Sequence, residues 1–447
     1  MRISVVGTGY VGLVSGVCLA DRGHQVTCVD KDAEKVDKIS NGVAPIYEKG
    51  LDDLLAKTLG KTLRATTDLR SAVHESEVSL IAVGTPFDGT EIDTGYVKQA
   101  AAEIGEALKD KDGYHVVLVK STVVPGTTDE LVLPALEKAS GKKAGVDFGV
   151  GMNPEFLREG EAVGDFMNPD RIVLGGLDDR THSTLQEVYE PFTGVDVVLT
   201  NNKTAEMIKY ASNSLLATLI SFSNEIGNLC SSIGGMDALE VMRGVHLDKR
   251  FMPILSSGER VTPGFISYLE AGCGFGGSCF PKDVKALIAH GQKHESSMRI
   301  LESVIETNLN QPNEVLTRVE KHFPSVADVD IAVLGLAFKP DTDDMRESPA
   351  IPIVNVLREK GARIKTYDPV ATTEARKIFG DDSIEYCDDL AETIAGAQVV
   401  VLLTRWDEFR GLPELLERGA PGAVLVDGRR MIDKHAVARY EGIGIQL

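Results

Sequence analysis

Ile3-Ser4-Val5-Val6-Gly7-Thr8-Gly9-Tyr10-Val11-Gly12 is a β-branched run that passes directly into a G-x-G-x-x-G pattern, and its reading decides the fold. In such a pattern the first glycine permits a tight turn after a strand. The second lets the backbone approach a pyrophosphate, and the third allows close helix–strand packing. The helix that opens there offers free N–H groups to phosphate. Alone the pattern is weak, but here the context supports it. The next run, Gln25–Asp30, ends in an acid eighteen residues past Gly12, where a carboxylate accepts from a ribose 2′-OH. Gly7, Gly9, Tyr10, Val11, Gly12 and Asp30 are therefore candidate dinucleotide-binding residues. Asp30 repels a 2′-phosphate and so favours NAD over NADP, while the neighbouring Lys31 is a cation that could receive one.

Outward from this motif, the first 200 residues alternate apolar runs with helical patterns. The runs are Ile3–Gly7, Gln25–Asp30, Val78–Val83, Val116–Lys120, Phe148–Gly151, Ile172–Gly175 and Val195–Thr200. Continuous apolar runs bounded by Gly and Asp predict strands buried on both faces of a parallel sheet. Helical spacing then continues for about thirty residues from Lys203 to Gly234-Gly235. Near 325 the α/β rhythm returns. Residues 330–340 (DIAVLGLAFKP) and 362–369 (ARIKTYDP) echo the opening unit without its glycine fingerprint. The expected fold is α/β: an N-terminal Rossmann domain (1–200), a helical central domain with the long helix (201–324), and a C-terminal Rossmann-like domain (325–447). The last is expected to bind a ligand other than a second dinucleotide.

The chain has 447 residues, 47 Lys plus Arg against 67 Asp plus Glu, and a net charge of −20. That balance argues against nucleic acid or an anionic membrane as partner, since phosphate neutralisation needs a basic face. Apolar runs are too short for a membrane span, and the N-terminus lacks the apolar region of a signal peptide. Six scattered cysteines without a CxxC pair suggest neither a disulfide framework nor a metal. A cytoplasmic, reduced protein is expected, with no metal.

Gly276-Gly277-Ser278-Cys279-Phe280-Pro281-Lys282-Asp283 carries the most chemistry. Pro281 suits an early helix position, which places Cys279 at a helix N-terminus near Lys282. Both features favour a thiolate, so Cys279 reads as a nucleophile, and the glycines would leave room for a substrate. Lys209 and Asn213 are four apart on the long helix and share a face, offering an ammonium and an amide to an oxyanion. Glu155 and Glu159 lie where a loop turns into a helix after the run ending at Gly151. For Glu159 a solvated first-turn acid is the favoured reading. Thr85, Pro86 and Thr122 follow strands at their carboxyl ends, where a nicotinamide could be lined.

Taken together, GTGYVG (7–12), STV (121–123), NPEFLREG (153–160), PDRIV (169–173), the Lys209/Asn213 helix, GFGGSCFPKD (274–283) and FKPDTDDMRESP (338–349) resemble the UDP-glucose/GDP-mannose dehydrogenase family. The resemblance covers essentially the whole chain. Within the family, NPEFLREG, PDRIV and CFPKD look more like the UDP-glucose branch, with GDP-mannose or a UDP-N-acetylhexosamine as the alternative. The resemblance implies a four-electron oxidation of a sugar C6 alcohol to a carboxylate, as in polysaccharide precursor synthesis, using two NAD⁺. Cys279 would carry thiohemiacetal and thioester intermediates, and Lys209 and Asn213 would stabilise the oxyanions. Glu155 and Asp283 would activate water or relay protons, and Thr122 would order water or nicotinamide. It also implies sugar-nucleotide contacts from Phe156, Leu157, Gly276, Phe338, Lys339 and either Arg429 or Arg430. Arg346, Lys282 and Glu159 would lie toward the cofactor. Separately, long apolar helices often build a dimer interface, so a homodimer or higher homo-oligomer is expected.

One departure concerns an arginine that in the family crosses to the partner subunit's sugar site. Arg250 is its match here, but 252–272 looks like an insertion of about a dozen residues, judged by ordinary loop lengths. Arg260 is therefore a rival. Two other classes compete: a two-electron hydroxy-acid or alcohol dehydrogenase, and a nucleotide-sensing binding protein. Neither requires Cys279.

Overall fold

A computed structural model describes residues 1–446, and the chain divides into two units, Met1–Ser212 and Asn213 onward. Leu447, the end assigned to the C-terminal domain, lies outside the described residues. In the first unit the apolar runs become β1 (Arg2–Val6), β2 (Gln25–Val29), β4 (Val78–Ile81), β5 (His115–Val119), β6 (Phe148–Met152), β7 (Arg171–Gly176) and β8 (Asp196–Thr200), with β3 (Leu63–Thr66) besides. Among the described residues they form one sheet in the order β3-β2-β1-β4-β5-β6-β7-β8. The order reverses between β1 and β4, the switch point at which doubly wound sheets bind ligands beyond the strands' carboxyl ends. Ile3, Val5, Leu80, Val116 and Leu118 are buried in its core. Each such side chain contributes roughly 1.5–3 kcal/mol.

Three features depart from expectation. First, β3 went unread because Leu-Arg-Ala-Thr is short and only half-buried at the sheet edge. Second, β6 and β7 pair antiparallel, while the other strand pairs of this sheet are parallel. The connection between them carries only the six-residue helix Ala162–Met167. Third, β8 is an edge strand rather than a buried one: Val197, Val198 and Leu199 are exposed.

In the second unit β9 (Asp330–Leu334), β10 (Arg363–Tyr367), β11 (Ile384–Tyr386), β12 (Val399–Leu402), β13 (Val424–Asp427) and β14 (Tyr440–Gly442) form a parallel sheet. Its order is β11-β10-β9-β12-β13-β14, the same winding as the first. The internal echo extends to the acid at the end of the second strand of each sheet. Asp368 accepts the N–H groups of Leu336 and Ala337 at 2.7 and 3.0 Å and is 2% exposed. A carboxylate so enclosed has no face for a ribose, the physical reason this sheet is unsuited to a second dinucleotide. The long helix Asn202–Ile233 leads into the helices Ala238–His246, Phe280–Lys293 and Arg299–His322. Cys230, Ala238, Cys273 and Val315 share one apolar core with Ile331, Val333 and Val401 of this sheet. Among the described residues no helix is long and apolar enough to cross a membrane.

Candidate active site

The turn after β1 has the geometry a pyrophosphate needs. Gly7 has φ +97°, and a Cβ there would lie 2.8 Å from the Ala82 carbonyl oxygen. A Cβ on Gly12 would lie 1.9 Å from the Gly7 carbonyl oxygen, whereas Gly9 faces open space. Gly9 caps the helix Tyr10–Asp21 and brings no side chain to bond its first amides. Those amides, including that of Val11, are suited to phosphate, so the residues fit NAD. Asp30 accepts the amide and hydroxyl of Thr8 at 2.8 and 2.7 Å and the Asp32 amide at 3.0 Å. Burial raises its pKa, but these donors outweigh that and hold it below the usual carboxylate range. Lys31 lies over the Tyr96 ring, 4.8 Å from its centroid. The turns after β4 and β5 are stitched together: Thr85 Oγ1 donates to the Thr122 carbonyl at 2.8 Å, while Pro86 is exposed.

Beyond β6, Lys209 and Glu155 form a buried ion pair at 2.8 Å, 4% and 5% exposed. Glu155 Oε2 also accepts the Leu157 amide at 2.7 Å. Burial pushes the Glu155 pKa up, but Lys209, the Leu157 amide and Lys120 together hold it below its ordinary value. Glu155 is thus an ionised carboxylate at neutral pH. Phe156 stacks beneath the Arg171 guanidinium, 3.9 Å from its centroid, with Lys209 at 5.7 Å. Glu159 lies close enough to Tyr10 to raise its hydroxyl pKa, a minor addition to burial and Glu48.

Two members of this cluster were missed by sequence reasoning. Lys120, 3% exposed, donates to Asn153 Oδ1 at 2.8 Å and lies 5.5 Å from the Phe166 centroid. Burial, with Lys209 adding and Glu155 opposing, pushes its pKa down to about 8. Asn153 Oδ1 also accepts the Tyr189 hydroxyl, and Asn153 Nδ2 donates to the Val173 carbonyl at 2.9 Å. A lysine closing the apolar run Val116–Val119 was the available signal.

In the second unit Cys279 is the N-cap of the helix Phe280–Lys293, with Pro281 in its first turn. Five of the six cysteines are buried, and Cys279 is the partly exposed one. Burial pushes Cys18 and Cys28 up to about 12, far from thiolate formation. Ser278 Oγ lies 3.5 Å from Cys279 Sγ. Asp283, 1% exposed, receives Lys282 Nζ on one oxygen and Asn213 Nδ2 on the other, each at 2.7 Å. The Lys282 charge is therefore shared with Asp283 rather than reserved for the thiol or a cofactor.

The remaining expected residues take these places. The glycines before Cys279 make room for the chain's own loop. A Cβ on Gly276 would lie 2.2 Å from the Glu347 carbonyl oxygen, and one on Gly277 2.7 Å from the Phe338 ring. Lys339 lies over that ring, 5.9 Å from its centroid. Of the two adjacent arginines, Arg430 is sequestered, paired at 2.8 Å with buried Asp237 and donating to the Ile443 carbonyl. Arg429 donates to the carbonyls of Leu403, Gly274 and Phe338, so it braces the start of the cysteine loop. Arg260 donates to the Leu247 and Met252 carbonyls and pins the inserted loop. Arg250 is 84% exposed and paired with Asp248, and Arg346 is paired with Asp344.

Sequence models of the UDP-glucose/GDP-mannose dehydrogenase family match three successive segments: its NAD binding domain over 1–193, central domain over 203–310 and UDP binding domain over 332–434. UDP-glucose 6-dehydrogenase AglM of Haloferax volcanii is 41% identical, over 99% of this chain and 100% of its own. GDP-mannose 6-dehydrogenase of Pseudomonas aeruginosa is 38% identical, over 99% and 100%. A UDP-glucose dehydrogenase structure from Pyrobaculum islandicum superposes with TM-score 0.90 at 38% identity, over 99% and 98%.

Proposed function

As the chain belongs to the UDP-glucose/GDP-mannose dehydrogenase family and is an NAD-dependent dehydrogenase, we propose that it oxidises UDP-glucose at C6 to UDP-glucuronate through covalent intermediates on Cys279. The observation that carries the covalent route is the part-exposed Cys279 at a helix N-terminus beside a held Asn213–Asp283–Lys282 set. The UDP-glucose relatives support the choice of sugar.

NAD⁺, when bound, supplies the hydride acceptor for both oxidations. In the first, the C6 hydroxyl loses a proton and C6 a hydride, leaving an aldehyde. The Cys279 thiolate adds to that carbonyl to give a thiohemiacetal, and loss of a second hydride leaves a thioester. Water attacks the thioester, the C–S bond breaks, and carboxylate and thiolate separate. Lys209 offers its ammonium and Asn213 its amide to the successive oxyanions. Asp283 aims Asn213 by accepting one of its N–H groups. Glu155, ionised and held by Lys209, is the candidate base for water, with Thr122 ordering water or nicotinamide. The three-domain division at 200 and 324 belongs to this reading, as does a reduced cytoplasmic setting, in keeping with six free cysteines.

Release of two NADH per UDP-glucose, measured at 340 nm across a panel of nucleotide sugars, is the expected result. No turnover with UDP-glucose but turnover with GDP-mannose or a UDP-N-acetylhexosamine would move the substrate and leave the chemistry. The GDP-mannose relative at 38% identity keeps that outcome in view.

A homodimer is also proposed. Leu215, Phe222, Leu229 and Ile233 are 51–65% exposed on the helix Asn202–Ile233. The first three recur every seven residues, an apolar stripe that a two-fold axis sets against its own copy. Phe222→Glu is expected to yield a monomer by light scattering. A dimer unchanged by that charge would place the interface elsewhere.

A further inference from the structure

Glu48 lies between the helices Ala33–Ser40 and Leu51–Thr58, in a segment with no role in the reaction described above. Its carboxylate is 6% exposed, and its position is unusual. Oε2 accepts the Gly160 amide at 2.8 Å, and Oε1 accepts the Ala162 amide at 2.9 Å. The Tyr10 hydroxyl donates to the same Oε2 and accepts a weaker bond from the Gly160 amide at 3.1 Å. Gly160 has φ +83°, a left-handed turn that aims its amide at this carboxylate. Burial and Glu48 together raise the Tyr10 pKa, so the phenol remains a neutral donor.

One side chain therefore joins two separate segments of the first unit. Tyr10 is the first residue of the helix that follows the dinucleotide turn. Gly160 and Ala162 close the loop whose earlier residue, Glu155, is paired with Lys209. That loop is anchored by a carboxylate near each end: its own Glu155 at the start and Glu48 at the finish.

We propose that Glu48 is a positioning residue that sets the Glu155 loop against the cofactor-binding helix, so that occupancy of the dinucleotide turn and placement of Glu155 depend on one carboxylate. The role of Glu155 rests on the function proposed above. The link to cofactor binding does not. Glutamine at 48 keeps the size but presents an NH₂ group to one of the two backbone N–H groups, which no rotamer resolves. Displacing a reacting group by about 1 Å costs up to about 100-fold in rate.

The test uses the full chain and reads NAD⁺ affinity by calorimetry, steady-state kcat and KM for UDP-glucose, and the thermal melt. Glu48→Gln is expected to lower kcat by about 10- to 100-fold and to weaken NAD⁺ binding, in protein that still melts cooperatively. Tyr10→Phe leaves both backbone bonds of Glu48 in place and is expected to weaken NAD⁺ binding several-fold. A purely structural staple would lower the melting temperature alone. Unchanged kcat, KM and NAD⁺ affinity in folded Glu48→Gln would therefore overturn the proposal. Should that variant fail to fold, Tyr10→Phe decides, and unaltered NAD⁺ affinity overturns it. If the wild type turns over no nucleotide sugar, the proposed function fails while the calorimetric comparison still decides the Glu48–Tyr10 link.

Discussion

Cys279→Ser is expected to abolish formation of the uronate, lowering acid-producing turnover by on the order of 10³-fold or more. A serine hydroxyl is not ionised near neutral pH, so on the proposed route it cannot replace the thiolate in adding to the aldehyde, and no thioester would form. The first oxidation does not use the sulfur, so aldehyde or its hydrate should be detectable by mass spectrometry, with NADH release falling below two per sugar. Cys279 is partly exposed, and the exchange removes little packing. The melt should therefore stay within about 0.5 kcal/mol of wild type. Full two-NADH stoichiometry in this variant would eliminate covalent catalysis and favour a direct oxidation of the hydrated aldehyde.

Lys209→Met should be costly in both stability and rate. The ammonium and the Glu155 carboxylate are buried as a pair, and removing one partner strands the other. Breaking such a pair costs about 3–5 kcal/mol. Loss of an oxyanion donor lowers kcat by about 10²–10³-fold. The pH dependence has a definite sign. The Glu155 pKa is depressed in the folded state, so the pair stabilises above the unfolded carboxylate pKa of about 4.3. That stabilisation is lost as pH falls toward the folded value. In Lys209→Met burial dominates and the Glu155 pKa rises, so the deficit against wild type should be largest at neutral pH and shrink in acid. Chemical denaturation at pH 7 and pH 4 measures this. A difference independent of pH would mean that Lys209 acts through packing and not through its charge.

The parts of this protein legible in its sequence are those whose chemistry is local. Gly12 answers a steric demand five residues back, at the Gly7 carbonyl, and a helix-opening Pro281 places Cys279 at an N-cap without further information. Gly276 and Gly277 are ambiguous for the complementary reason. A glycine records that something comes close, but whether that is a ligand or the protein's own Phe338 depends on a segment some sixty residues away. The exposed apolar strand β8 misled, because Val-Val-Leu reads the same whether another layer covers it or not.

By itself the sequence determined two β-α-β windings, the helix between them, the dinucleotide turn and a cysteine at a helix N-cap, since backbone conformation and periodic burial are written in neighbouring residues. Only the tertiary structure decided how the charges are shared: Lys209 with Glu155, Asn213 with Asp283 across 70 residues, Lys120 with Asn153, Glu48 with Tyr10 and Gly160. A carboxylate or ammonium withdrawn from water takes its partner from whichever element the folded chain brings within about 3 Å. Sequence spacing carries no record of that distance.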